Sequence, residues 1–260
     1  MNMHQWPSRQ GRKLPALPRQ PRMAAAWCVL WSLLCLLCAA PPALAGRPLS
    51  SDDAATADAG SCQIEAWSGH VASERSVTLA PACGVAAGLE LGADLTRFSP
   101  RGTQPEQGGL ALKWVPAAWR VDSAAGELNF GLKLSGAWVK AARSGWQQAQ
   151  TGALVLATLK ASEAITAHAN LGPVRDRALR AQGTLLNLAV VWTPFDALLL
   201  FAESQGNDKR VLFGRTVTGV GTRWWLLKDR LGLDLGVSRE AGASASRRWT
   251  VGLGWYGIGS

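Results

Sequence analysis

The chain has 260 residues, of which 27 are basic and 18 acidic, for a net charge of +9. Five of the basic residues and none of the acids fall within the first 45, so the remainder holds 22 basic against 18 acidic residues, a net charge of +4. That balance removes most of the support for a nucleic-acid-binding protein, and the roughly 215 residues beyond the first 45 suffice for one domain.

Residues 1–45 read as a secretion signal. Arg9, Arg12, Lys13, Arg19 and Arg22 form a basic leader, and Ala24 to Ala40 is an apolar run too short for a comfortable membrane span. Ala43-Leu44-Ala45 places small residues where cleavage needs them, so a cut before Gly46 is expected. An uncleaved anchor helix is the alternative. A lipoprotein signal fits poorly, because Leu37 rather than a small residue precedes Cys38. Cys28, Cys35 and Cys38 leave with the signal, and Cys62 and Cys83 remain as an even pair. An oxidising periplasm would join them, and closing a loop of that length is worth about 3 kcal/mol in the chain-entropy model. Two thiols without a nearby histidine pair are too few for a metal site.

Residues 46–60, rich in Ala, Ser and Asp, are expected to be a flexible lead-in. Residues 61–83 are predicted as a cystine-closed segment ahead of a barrel, or as a hairpin that adds two strands to it. Residues 84–260 carry the barrel itself. Strands are predicted at about 84–98, 109–119, 126–139, 150–160, 164–172, 182–193, 197–205, 211–226, 230–239 and 248–258. Each alternates apolar and polar residues, as Leu89, Leu91, Ala93 and Leu95 do against Glu90, Gly92, Asp94 and Thr96. Most have the ~9–11 residues, or somewhat more, that a tilted strand needs to cross a bilayer. The connections alternate long and short, the pattern of external loops and periplasmic turns. The fold expected is therefore an all-β, antiparallel, up-and-down transmembrane barrel of about ten strands, with twelve possible. Two spots fit badly. The fourth of these strands is apolar on both faces, and Pro116 falls inside the second, where it would remove a ladder hydrogen bond.

In a membrane barrel the apolar face meets lipid and the polar face lines the lumen. The residues expected in the lumen are Glu90, Asp94, Lys113, Glu127, Lys133, His168, Asn170, Glu203, Arg215, Arg223 and Asp234. Opposed charges across so narrow a space point to an internal ion-pair network, with a selectivity ring as the alternative. Many glycines share that face, among them Gly92, Gly131, Gly221, Gly232, Gly236, Gly252 and Gly254, where they relieve crowding. Trp119, Trp192 and Trp224 fall near short turns, Trp138 and Trp249 near long loops, and Trp255 near the chain end. Two interfacial aromatic belts would use tryptophans in these places.

The long connections are basic. Arg97, Arg101, Lys140, Arg143, Arg175, Arg177, Arg180, Lys209, Arg210, Arg239, Arg247 and Arg248 face only Glu106, Asp176, Asp208 and Glu240. The short turns balance Arg120, Lys160, Lys228 and Arg230 against Asp122, Glu163, Asp196 and Asp229. A basic rim suits the phosphates of outer-membrane lipid and lipopolysaccharide, and it could steer a small anionic solute inward. Signs of catalysis are weak. His168 shares its face with Thr166 and Asn170 but has no serine in a recognisable motif beside it. The Asp-His pair and the outer-rim acidic pair of an omptin-type protease are not found. No cofactor motif is present, and no enzyme is expected.

The last third carries a resemblance. A strand ending in Trp192-Thr193-Pro194, then Glu203 and Gly206, a Gly221 to Trp225 strand, and Leu231-Gly232-Leu233-Asp234 resemble a broad group of proteobacterial outer-membrane barrels. That group is often placed with phenol-degradation-pathway (MetA-type) transporters. The resemblance implies an outer-membrane barrel with a role in uptake of small solutes, aromatic ones among the candidates, and it brings no catalytic residues. The chain end departs from the usual assembly signal, closing on Ile258-Gly259-Ser260 without a final aromatic residue. The functional expectation is passage or binding of small solutes at the outer membrane. The alternatives are a non-conducting structural or surface-interaction barrel and a soluble periplasmic binder of apolar ligands.

Overall fold

Strict two-residue alternation commits a chain to strands whose opposite faces meet different surroundings, and the chain obeys it almost throughout. The computed structural model describes residues 49–100, 104–140, 145–209, 216–242 and 247–259. The signal segment therefore lies outside the described residues, as do Arg101, Arg143, Arg210 and Arg215. The strands are β1 (Cys62–Val71), β2 (Glu74–Ala86), β3 (Leu89–Ser99), β4 (Glu106–Trp114), β5 (Val121–Ser123), β6 (Gly126–Lys140), β7 (Gln147–Lys160), β8 (Ile165–Asp176), β9 (Ala181–Phe195), β10 (Leu198–Asn207), β11 (Val217–Leu227), β12 (Leu231–Glu240) and β13 (Arg247–Ile258).

Each long strand pairs antiparallel with its sequence neighbours, β4 pairs with β6, and β13 returns to β1. The short β5 pairs only with the start of β6, so the closed wall has twelve strands. The sequence favoured about ten, and twelve is reached because residues 61–83 form β1 and most of β2 rather than a separate segment. Cys62 and Cys83 face each other across that hairpin and form a disulfide, with an S–S distance of 2.08 Å.

Two details of the predicted strands change. The first begins at Leu89 rather than at 84, because a tight turn at Ala87–Gly88 separates β2 from β3. Gly88 holds φ +69°, and a Cβ there would run into the carbonyl of Val115. The second strand stops at Trp114, so Pro116 sits beyond the ladder as the N-cap of a short 3₁₀ turn, Ala117–Trp119. A proline with no N–H costs nothing there.

The two ends of the barrel differ. One end, here the turn end, carries the connections 87–88, 115–125, 161–164, 196–197 and 228–230, together with the start of β1 and the end of β13. The other, the loop end, carries 72–73, 100–105, 141–146, 177–180, 208–216 and 241–246. The 72–73 turn, the 177–180 connection, no longer than 161–164 at the other end, and the 115–125 connection depart from the length rule.

Polarity is reversed relative to a water-soluble sandwich. Leu91, Leu110, Leu134, Leu171 and Val251 each expose 51–58% of their surface, whereas Glu90, Asn170, Arg223 and Asp234 expose between 0 and 7%. Apolar side chains cover the outside on strands all around the wall, and water does not tolerate so large a continuous apolar surface. Trp114, Trp119, Trp192, Trp224 and Trp255 stand exposed toward the turn end, Trp146 and Trp249 toward the loop end. Closure leaves the barrel wall no free edge, which hydrocarbon surroundings would require. Interior glycines make room for large inward side chains. A Cβ at Gly221 would strike the Phe201 ring, one at Gly254 the Tyr256 ring, and one at Gly232 the Arg223 side chain. The doubly apolar strand is β7: Val155 faces out at 51% exposure while Leu156 is fully buried inside.

Candidate functional site

The lumen is not empty of chain. Residues 49–60, expected as a flexible lead-in, cross it from wall to wall, held by hydrogen bonds at nearly every step. The crossing starts at the turn end beside the disulfide. Gly60 N donates to Gly84 O at 2.8 Å, Gly84 N to Ser61 O at 2.9 Å, and Ala59 forms a parallel bridge with Gly84. Position 84 must be glycine for this to occur, since a Cβ would collide with the carbonyl oxygens of Ala57 and Asp58.

From there the segment meets one wall after another. Ala57 N donates to Glu90 Oε2 on β3 at 2.8 Å. Lys113 on β4 donates to Asp53 Oδ1 at 3.0 Å and to Ala55 O at 3.1 Å, and Lys133 on β6 donates to Asp52 Oδ2 at 2.7 Å. Ala54 N donates to Thr158 Oγ1 on β7 at 2.7 Å. Asn170 on β8 binds both backbone groups of Asp52, accepting from its N and donating to its O, each at 2.8 Å. Ser50 N donates to Glu203 Oε2 on β10 at 2.7 Å. Leu49 finally packs into an apolar cluster with Ala189, Val191, Leu199 and Phe201 on β9 and β10. An extended segment has no ladder of its own, so its backbone polar groups need partners. The wall supplies them with charged groups, which make the stronger bonds.

A second cluster lies between β1, β11, β12 and β13. The Arg223 guanidinium is completely buried and grips Asp234 with two bonds, Nε to Oδ1 at 2.7 Å and Nη2 to Oδ2 at 2.8 Å. Glu65 Oε1 lies 3.9 Å from Arg223 and accepts from Tyr256 OH at 2.6 Å. The guanidinium also stands over the Trp225 and Tyr256 rings, 5.0 and 4.9 Å from their centroids. A buried charge survives only with this kind of pairing.

Two cavities flank the crossing segment. The larger, about 810 Å³, is lined at the loop end by Glu74, Phe98 and Gln104 and at the turn end by Asp229, Tyr256 and Gly257. The smaller, about 370 Å³, lies against β10 to β13 and Trp67. The larger one is acid-rich: Asp52, Asp53, Asp58, Glu65, Glu74, Glu90, Asp94 and Asp229 outnumber Lys113, Lys133 and Arg248. That balance is unfavourable to the anionic solute that the basic rim suggested.

The structure brings most of the residues expected in the lumen together. Glu90, Lys113, Lys133, Asn170 and Glu203 hold the crossing segment, and His168 backs it by sharing a 2.9 Å hydrogen bond with Thr158. Arg223 and Asp234 form the second cluster. Asp94 lines the larger cavity. Glu127 stands apart, pairing with Arg120 at 3.0 Å near the turn end. The sequence reading missed Glu65, Trp67 and Tyr256 as interior groups. The alternation Gln63, Glu65, Trp67, Gly69 opposite Ile64 and Ala66 would have shown the first two, had 61–83 been read as strands. Nothing periodic marks the crossing segment itself.

Among the described members of the basic set, Arg97, Lys140, Arg175, Arg177, Arg180, Lys209, Arg239, Arg247 and Arg248 all occur at the loop end, where Arg75 joins them. Arg97 pairs there with Glu106 at 3.5 Å, and at the turn end Lys228 pairs with Asp196 at 2.7 Å and Arg120 with Asp122 at 3.3 Å.

Several solved barrels share this fold. The KdgM porin superposes with a TM-score of 0.54 at 11% identity, over 74% of this chain and 98% of its own. The NanC porin does so with a TM-score of 0.56 at 6% identity, over 75% of this chain and 98% of its own. Outer membrane phospholipase A from Escherichia coli also aligns, over 82% of this chain and 94% of its own at 12% identity, but with a TM-score of only 0.45. No curated protein matches the chain. The model of the family described as "Uncharacterised conserved protein UCP029691" matches residues 33–255, and the chain belongs to that family.

Proposed function

We propose that this protein is an outer-membrane barrel, exported by removal of residues 1–45, that admits small solutes through its lumen without catalysis. The observation that carries this reading is the larger cavity, whose lining runs from Phe98 and Gln104 at one end to Asp229 and Gly257 at the other. The barrel fold shared with the KdgM and NanC porins supports it. One KdgM structure is described as a complex with disordered oligogalacturonate, so that barrel takes a polar oligomer. Here the carboxylate surplus disfavours anions while residues 49–60 are in place, and it favours cationic or neutral polar molecules. Phe98 on the cavity wall offers a face on which an aromatic solute can stack. The basic loop end is suited to the phosphates of lipopolysaccharide.

The crossing segment favours a second reading, a non-conducting barrel whose basic loops engage lipid or a partner. Conductance in planar bilayers separates the two. The passage reading predicts discrete, weakly cation-selective channels from the purified, folded barrel. A barrel that is folded yet silent, both as the full chain and with residues 49–58 deleted, would leave only the structural reading.

A further inference from the structure

The crossing segment is bound as a ligand would be. Its two adjacent carboxylates each meet a lysine, Asp52 with Lys133 at 2.7 Å and Asp53 with Lys113 at 3.0 Å. Asn170 grips the intervening backbone with a donor and an acceptor at 2.8 Å each. Thr158 takes the next amide, that of Ala54, at 2.7 Å. The four wall residues come from four strands, β4, β6, β7 and β8, so the barrel wall rather than a local turn motif brings them together. They recognise features that any extended acidic chain offers: paired carboxylates, and backbone amide and carbonyl groups at peptide spacing.

We propose that Lys113, Lys133, Thr158 and Asn170 form a lumen site for a short acidic peptide, occupied in cis by residues 50–57. The inference goes beyond the passage reading and rests on it only where conductance is the readout. Filling the site places a strand of chain across the lumen and adds carboxylates to the cavity. Emptying it exposes two lysine ammonium groups, of which Lys113 keeps Glu90 at 3.8 Å. The segment therefore acts as a tethered occupant that narrows the path and sets its charge, and an acidic peptide arriving from outside would compete for the same lysines.

The base of the segment offers a way to unseat it without touching the site. Gly84 lies on β2, which carries none of the four binding residues, and a side chain there collides with the carbonyls of Ala57 and Asp58. Gly84→Val in the full chain should free the segment while leaving Lys113 and Lys133 in place.

The test uses two barrels, one lacking residues 49–58 and one carrying Gly84→Val in the full chain, both purified in detergent and shown to be folded by heat-modifiable migration. The probe is a free peptide of sequence Ser-Ser-Asp-Asp-Ala-Ala-Thr-Ala-Asp, fluorescently labelled, read by anisotropy. Saturable binding to the deletion barrel is expected, with an affinity about tenfold or more weaker for the peptide in which Asn replaces both adjacent aspartates. Lys133→Met should produce a comparable loss. Excess inorganic phosphate tests for a generic anion site: weak competition supports the proposal, and displacement at equal concentration overturns peptide recognition. Equal binding of the aspartate and asparagine peptides, or no binding to either barrel, overturns it as well. In bilayers, the peptide should lower the conductance of the deletion barrel. If that barrel is silent but the peptide binds, the passage reading fails and the site stands.

Discussion

Replacing Asp234 with alanine should be among the most damaging single changes in the barrel wall. The reason is Arg223, whose side chain has no solvent exposure. Asp234 supplies two of its bonds at 2.7 and 2.8 Å, and the next carboxylate, Glu65, is 3.9 Å away and already committed to Tyr256. Removing one partner of a buried pair leaves an uncompensated charge and costs about 3–5 kcal/mol. The contacts of the guanidinium with the Trp225 and Tyr256 rings are already present before the substitution, so they do not offset that cost. Reversible urea unfolding of the refolded barrel in lipid vesicles, followed by tryptophan fluorescence, would register a loss of about 3 kcal/mol in Asp234→Ala. The double variant Arg223→Met with Asp234→Leu is the informative control, because replacing a buried pair by apolar groups of similar volume is often close to neutral. The double variant should therefore be more stable than the single one. Asp234→Ala within about 1 kcal/mol of wild type, or a double variant as unstable as the single, would show that the guanidinium is not held as described.

Other variants test other parts of the barrel. Leu171→Arg or Val251→Arg puts a cation on the outer face and should cost about 2–4 kcal/mol if lipid lies there, measured by the same unfolding assay; Thr250→Arg, one residue along and facing in, should cost less. Converting Cys62 and Cys83 to alanine should lower stability by up to about 3 kcal/mol and shift the heat-modified gel transition downward. Gly88→Val, at φ +69° against the Val115 carbonyl, should destabilise by more than the ~1–3 kcal/mol of a strained backbone alone, because the β2–β3 turn must move; folded yield in detergent reads this directly.

How much of this was legible in the residues depends on which physical rule governed each part. The strands were, because Leu89 to Leu95 and Leu231 to Val237 alternate strictly with polar and charged residues. The register of β6 through β13 followed from the same pattern, and the structure places those strands within a few residues of expectation among the described residues. Pro116 lies beyond the ladder, which ends at Trp114 although the alternation of residue types continues past it. The β1–β2 hairpin was harder, because His70, Ser68 and Pro81 weaken its outward face and the cystine suggested a separate module. The crossing segment was illegible for a physical reason. Its seat is defined by partners far away in sequence, such as Asn170, 118 positions from Asp52, and a run of Ala, Ser and Asp looks the same whether solvated or bound. The acid surplus of the larger cavity was hidden along with it, since Asp52, Asp53 and Asp58 belong to that segment.

The claim on which the rest stands is that oil, not water, touches the leucine-rich face. Nitroxide labels placed singly at Leu91, Leu171 and Val251, and at Thr78, Thr96 and Gln205 for comparison, can be read by relaxation in reconstituted vesicles. The first three should be accessible to oxygen and shielded from a water-soluble nickel complex, with the reverse order for the second three. Nickel accessibility at Leu91, Leu171 and Val251 equal to that of the interior positions would contradict it.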